Sequence, residues 1–347
     1  MNSRERVIRA VEFKEPDRVP NGCYALPGAF FKYGKELEKL FERYPTDFQP
    51  LVTSWSTEFY GESVPYKPGI NKDPWGCVWK TIFPGIWGRI IEHPLADLNK
   101  LDDYEFPDFS ELVNFDEIEK NIRQSGHQRY VLGDAGNFFE RIHFLHGFEN
   151  TLINLTRREK RLMKLIKLLF DFKIRYIKRW LELDIDGLYF LDDWGTMNGL
   201  MINPKLWREI FKPLYKQMFD VVHKAGKHVF FHSDGYVWDI IPDLIEIGVD
   251  ALNIQVYLMG IERISDTFGG KVCILADVDR QNLLPFGTPE KICQSIKHLI
   301  HAFSDFDGGL IAWGEIGPDV PLSNAEAMLR AFWKYGQYPI KNETKNK

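Results

Sequence analysis

His232 and Asp234 stand two residues apart, just past the apolar run Val229, Phe230 and Phe231. Such a run reads as a strand buried on both faces. Trp238, Ile241, Leu244 and Ile245 then recur at helical spacing. The His and the Asp therefore sit where a parallel strand enters the loop before its helix, the edge at which parallel α/β proteins bind ligands. Glu315 takes the same position after the strand 309–313. One imidazole with two carboxylates, His232, Asp234 and Glu315, can hold a divalent ion, zinc first among them, and leave a coordination position open for Lewis-acid chemistry. The plain alternative is a histidine hydrogen-bonded to its neighbouring aspartate with no metal. Asp192 and Asp193 end another strand, 187–191. Close carboxylates push one pKa up, which suits a general acid or base. Strand alternation can instead send one into the mouth and leave the other to cap the next loop.

Other strand ends contribute Asp134, Asn137, Trp194, Asn253, Gln255, Asp277 and Asp279. Of these, Asn137, Trp194, Asn253 and Gln255 are the expected substrate-binding residues. Glu140 reads as a first-turn acid favoured by the helix dipole. His143, His146, His223, His228, His298 and His301 read as structural.

These residues need a scaffold that gathers strand ends at one rim. Six strands from residue 129 onward alternate with helices, and two candidates precede them at 19–26 and 51–55. That count predicts a single (β/α)8 barrel over residues 1–340 with right-handed crossovers. A doubly wound sheet fits less well, because no Gly-x-Gly-x-x-Gly follows an early strand. Helices are expected at 3–12, 30–44, 138–155 and 158–183, the first capped by Asn2 or Ser3. Residues 56–95 are dense in Gly, Pro and Trp and predict a β insertion turning at Pro84 and Gly85. The polar tail 341–347 is expected to be disordered.

The chain has 347 residues, 44% of them hydrophobic and 27% charged, with a net charge of −5. This is the balance of a soluble globular protein, with no basic surface for nucleic acid or membrane. No stretch has the length and apolarity of a signal peptide or a membrane span. Cys23, Cys77, Cys273 and Cys293 are far apart and read as reduced thiols of a cytoplasmic protein. A homodimer is carried as a candidate assembly. Some of the 14% aromatic residues could line a pocket for a flat organic substrate.

The longer pattern resembles the uroporphyrinogen decarboxylase superfamily. The likeness is carried by SRERVIRA at 3–10 with PDRVP at 16–20, GFE at 147–149, DDWG at 192–195, KHVFFHSDG at 227–235, IPDLIEIGVD at 241–250 and LPFGTPE at 284–290. It spans nearly the whole chain and implies the same barrel. One branch of the superfamily removes acetate carboxylates from a tetrapyrrole without a cofactor, gripping them with an Arg-Gln-x-Gly-Arg run near the N-terminus. That run is missing here: between Arg18 and Arg89 the only arginine is Arg43. A polycarboxylate would lack its bidentate clamp. The other branch, the corrinoid-dependent methyltransferases, holds zinc with His-x-Cys and a later Cys. His232 falls on that His, Asp234 on the first Cys and Glu315 approximately on the second. Carboxylates keep two negative ligands but make them harder.

The resemblance thus implies an O-demethylase-like methyltransferase. It would move a methyl group from a small, methoxylated substrate to a corrinoid, assisted by a divalent metal. No corrinoid-binding domain is recognisable, since Asp220 to Gly226 place their His inside a helix, so a corrinoid protein is the expected partner. The alternative is a cofactor-independent decarboxylase of uroporphyrinogen or a related carboxylated substrate, with Asp192 or Asp193 protonating the carbanion.

Overall fold

The computed structural model describes residues 1–50 and 64–340. The strand expected at 51–55 and the tail 341–347 lie outside the described residues. In chain order the strands are β1 (Tyr24–Ala25), β2 (Gly69–Lys72), β3 (Val78–Thr81), β4 (Arg89–Glu92), β5 (Leu132–Gly136), β6 (Gly187–Leu191), β7 (His228–Ser233), β8 (Ala251–Ile254), β9 (Cys273–Ala276), β10 (Leu310–Ala312) and β11 (Glu315–Ile316). β5 to β10 form one parallel ladder in sequential order. β2, β3 and β4 make a separate antiparallel sheet within the inserted region.

Short segments close the ring. β1 pairs in parallel with β11, and Asn21 bridges Ala312. Phe48 bridges Tyr130 ahead of β5. The Asp47 N–H donates to the Asn21 carbonyl at 2.7 Å, joining the first segment to the second. Segments 21–25 and 47–49, β5 to β9, and β10 continued by β11 thus give the eight staves of a (β/α)8 barrel.

Side-chain parity separates two cores. Val229 and Phe231 of β7 and Leu188 and Phe190 of β6 pack outward against the helices. Phe230, Tyr189, Leu275, Ile311 and Trp313 fill the barrel instead. Trp313 lies under the mouth, with Phe48, Tyr189 and Tyr24 ring centroids 5.1, 5.7 and 6.0 Å away. It fits because residue 22 is glycine: a Cβ there would fall 2.3 Å from the indole.

Two helices read as continuous are interrupted. The one expected over 30–44 breaks at Gly34 (φ 49°), between Pro27–Tyr33 and Lys35–Arg43. The one expected over 138–155 breaks at Gly147 (φ 91°), between Phe139–His146 and Phe148–Arg157. Glycine tolerates these positive φ values, which residues with a Cβ rarely adopt.

The helix Ser3–Val11, capped by the Asn2 side chain, seals the end of the barrel opposite the mouth with Val7, Ala10 and Val11. A buried ion network fixes it there. The Asp47 carboxylate accepts Arg6 Nη1 at 2.7 Å, Arg18 Nη1 and Nη2 at 2.8 and 3.0 Å, and the Asn21 N–H at 2.7 Å. Removing one partner of such a network strands buried charge, at a cost of about 3–5 kcal/mol. Asp47→Ala is therefore expected to lower unfolding free energy by about that amount in urea titration. A loss below about 1 kcal/mol would show that the arginines find other partners.

Candidate functional site

Parity at the strand ends decides what reaches the mouth. Asp192 follows Leu188 and Phe190 outward and is buried. Its carboxylate accepts the N–H groups of Phe138 and Glu140 at 2.9 Å and the Tyr215 hydroxyl at 2.6 Å. Burial raises its pKa to about 6 against those hydrogen bonds. It ties the start of the helix Phe139–His146 to the barrel wall. Asp193 follows Tyr189 inward and meets His232.

One chain of hydrogen bonds orients the imidazole. Asn253 Nδ2 donates to the Leu275 carbonyl at 2.8 Å, which turns its Oδ1 toward β7. His232 Nδ1–H donates to that Oδ1 at 2.6 Å, and the Tyr189 hydroxyl donates to it at 3.1 Å. The tautomer follows from this network. Nε2 is left pointing at Asp193 Oδ1, 3.3 Å away, and Asp234 Oδ1, 3.7 Å away. Burial opposes charge on the ring, but Asp193 first and Asp234 second outweigh it and raise the His232 pKa to about 9.

The loops after β6 and β7 are stitched together. The Asp234 N–H donates to Asp193 Oδ1 at 2.8 Å, the Trp194 N–H to Ser233 Oγ at 3.0 Å, and the Gly195 N–H to the Asp234 carbonyl at 3.1 Å. A Cβ on Gly235 (φ 81°) would lie 2.3 Å from the backbone of Gly195. Only glycine allows that approach.

Asp193, His232 and Asp234 place one ligand atom each within 4.8 Å of the others. A nitrogen and two carboxylate oxygens at these separations suit zinc or another divalent ion. The Asn253 bond is the outer-shell partner that a metal-bound imidazole needs. Glu315, expected as a ligand, stands apart from this group. Its Oε2 accepts the Tyr24 hydroxyl at 2.8 Å and Arg280 Nη1 at 3.3 Å. Arg280 Nη2 also ion-pairs with Asp234 Oδ2. The guanidinium therefore separates two of the carboxylates expected to share a metal.

The expected substrate-binding residues divide. Gln255 lines a cleft of about 160 Å³ with Tyr257, Asp277, Arg280, Gln281 and Asn282, and its Oε1 accepts the Gly235 N–H. Asn137 hydrogen-bonds Glu140 at the mouth. Asn253 is committed to His232. Trp194 is fully buried, stacked on Phe139 at 3.9 Å with its Nε1–H donating to Tyr215. Asp134 Oδ1 accepts the Gly136 N–H, and Asp279 braces the next loop through the N–H groups of Gln281 and Asn282.

Two residues carry more of the site than their types announced. Burial, then the charges of Asp193 and Asp192, raise the Glu140 pKa to about 8, so an acid that retains its proton stands at the mouth. Its place in the first turn after β5 was the available signal. Arg280 sits in the loop beyond β9, where no periodicity marks it. Asp277 also holds its proton, raised by burial to about 8, and its Oδ1 is buried with no hydrogen-bond partner among the described residues.

Fold and mouth together define a (β/α)8-barrel protein with a histidine–carboxylate centre. The sequence pattern of the uroporphyrinogen decarboxylase (URO-D) family matches residues 85–335, and the chain belongs to that family. A methyltransferase from Methanosarcina mazei is similar in fold, with a TM-score of 0.73 at 15% identity over 96% of this chain and 99% of that one. An endo-1,4-beta-xylanase from Caldicellulosiruptor owensensis reaches a TM-score of only 0.34 at 12% identity, over 62% of this chain and 73% of that one. No curated protein matches the sequence. No helix among the described residues is long and apolar enough to cross a membrane.

The His232 ion pairs set a pH dependence for the metal-free protein. The folded pKa, about 9, lies above the ordinary value of 6.5. The stabilisation is thus complete below about pH 6.5 and is lost as pH rises through 9. In chelator, the melting temperature is expected to fall between pH 7 and 9.5. Asp193→Asn should remove much of that fall, and identical profiles for the two proteins would refute the pairing.

Proposed function

We propose that the protein is an enzyme of metal-assisted methyl transfer, moving a methyl group from a small, methoxylated substrate to a corrinoid carried by a partner protein. The observation that carries this reading is the aimed imidazole. Asn253 fixes His232 so that Nε2 faces Asp193 and Asp234, a donor set with room for one ion. The metal reading of the mouth thus exchanges Glu315 for Asp193. A divalent ion held there would polarise the ether oxygen, and a reduced, cobalt(I) corrinoid on the partner protein would supply the electron pair that takes the methyl group as the methyl–oxygen bond breaks.

The chain's own residues supply the rest. Asp193 and Asp234 balance the charge of the ion. Glu140, whose pKa burial raises to about 8 in the metal-free protein, would give its proton to the departing oxygen, which leaves poorly as a free alkoxide or phenoxide. Gln255 and Asn137 are the substrate-side amides. Trp194 and Asp192 support them from behind: the indole fills the helix layer, and the carboxylate locks the helix that bears Glu140.

A second reading, a metal-free carboxy-lyase, draws on the same mouth. The ion-paired Arg280 could hold a carboxylate, and protonated Glu140 could deliver its proton to the carbanion left after carbon dioxide departs.

Metal analysis of the purified protein separates the two. The methyltransferase reading expects about one zinc or cobalt per chain after reconstitution. It expects none in His232→Ala and affinity about 10–100-fold weaker in Asn253→Ala. With a methoxylated aromatic and a corrinoid protein chemically reduced to its cobalt(I) state added, the phenol should appear only in the metal-loaded sample. No bound metal in the wild type, with carbon dioxide release insensitive to chelator, would establish the lyase instead.

A further inference from the structure

Arg280 is the largest feature of the mouth that the methyl-transfer reading does not require. It lies beyond β9 in a loop tied down by Asp279, whose carboxylate accepts the N–H groups of Gln281 and Asn282 at 3.0 and 2.9 Å. Its side chain is 25% exposed, so it reaches the mouth without being free in solvent. One arm pairs with Asp234 Oδ2 and the other with Glu315 Oε2 at 3.3 Å. Asp234 is thereby divided: Oδ2 faces Arg280 and Oδ1 faces His232 Nε2. Glu315 is held on the far side, where the Tyr24 hydroxyl also donates to it at 2.8 Å.

We propose that Arg280 is a positioning residue that keeps Glu315 out of the metal's coordination sphere and so holds one coordination position open. The inference rests on the metal reading above, and deepens it. Without the guanidinium, three carboxylates and one imidazole would border the same small space. Four anionic or neutral protein donors close a tetrahedral site, and closed sites are structural, whereas three donors leave a position for substrate. A fork that spans two carboxylates in fixed geometry suits this task, and a lysine ammonium does not.

Arg280→Met removes the fork. Zinc affinity, measured by competition with a chromophoric chelator, is expected to rise at least fivefold over wild type. The double variant Arg280→Met with Glu315→Gln should lose that gain, since the carboxylate that enters is absent. Cobalt supplies an independent readout. In the cobalt-loaded wild type, added azide should shift the visible spectrum by occupying the open position. In cobalt-loaded Arg280→Met it should shift nothing, while Arg280→Lys, which keeps the charge but spans one carboxylate, should fall between. A smaller rise or a fall in zinc affinity overturns the proposal, as does an unchanged azide response or a gain that survives loss of Glu315. The outcomes also distinguish the two claims. Wild type that binds zinc with Arg280→Met unchanged refutes only the role of Arg280. Wild type that binds none while Arg280→Met binds it refutes both, since no ion is then present for Arg280 to leave open. Failure of both proteins to bind refutes both.

Discussion

Parity along a parallel strand governs this molecule. Successive side chains leave a strand on opposite faces, so a single step along the chain exchanges lumen for helix layer. Asp192 and Asp193 are adjacent in sequence and chemically alike. One is sealed under a tyrosine and two backbone amides, and the other faces an imidazole across the mouth. The same rule puts Phe230 and His232 inside and Phe231 outside. Everything at the rim, from the ring that Asn253 orients to the carboxylates beside it, depends on these registers holding across β6 to β9.

Charge is the second organising quantity. The mouth gathers Asp193, Asp234 and Glu315 around one histidine and one arginine, with Glu140 and Asp277 kept neutral by burial. Negative groups this close in a partly dry space are tolerable only when each faces a positive partner or holds a proton. The distribution is uneven in a useful way. Arg280 pairs with carboxylates on the side nearest β11, and the imidazole faces Asp193 and Asp234 on the other. The opposite end of the barrel shows the contrasting case. There Arg6 and Arg18 converge on Asp47 with every bond internal, a static network that ties the first turn of the chain to the second stave.

The sequence disclosed the barrel because its middle strands are apolar runs followed by polar rims, and because helices separate them at regular intervals. The short staves were harder to read. β1, β11 and the segment at 47–49 hold only a few paired residues each, so no periodicity could build up in them. The family motifs near the N-terminus took on physical meaning only once Arg6 and Arg18 were seen to share Asp47. At the site, His232 and Asp234 were legible from position alone. Asp193 was narrowed to a pair but not chosen, since parity cannot be assigned until register is known. Trp194 read as a pocket wall because it follows a strand end, yet it turns outward to stack on Phe139. Arg280 was invisible for a different reason. A loop side chain reaching back across a barrel leaves no trace in local sequence.

The contact between Gly195 and Gly235 reaches further than its size suggests. Neither residue has a side chain to offer chemistry, and a catalogue of ligands would omit both. Their backbones nonetheless touch, and that touch sets the gap between the loop bearing Asp193 and the loop bearing Asp234. A methyl group at either position would act as a wedge and spread the jaws of the centre while every donor residue was still present in the sequence. The geometry of the mouth thus rests on two absent side chains as much as on the acids and the imidazole themselves.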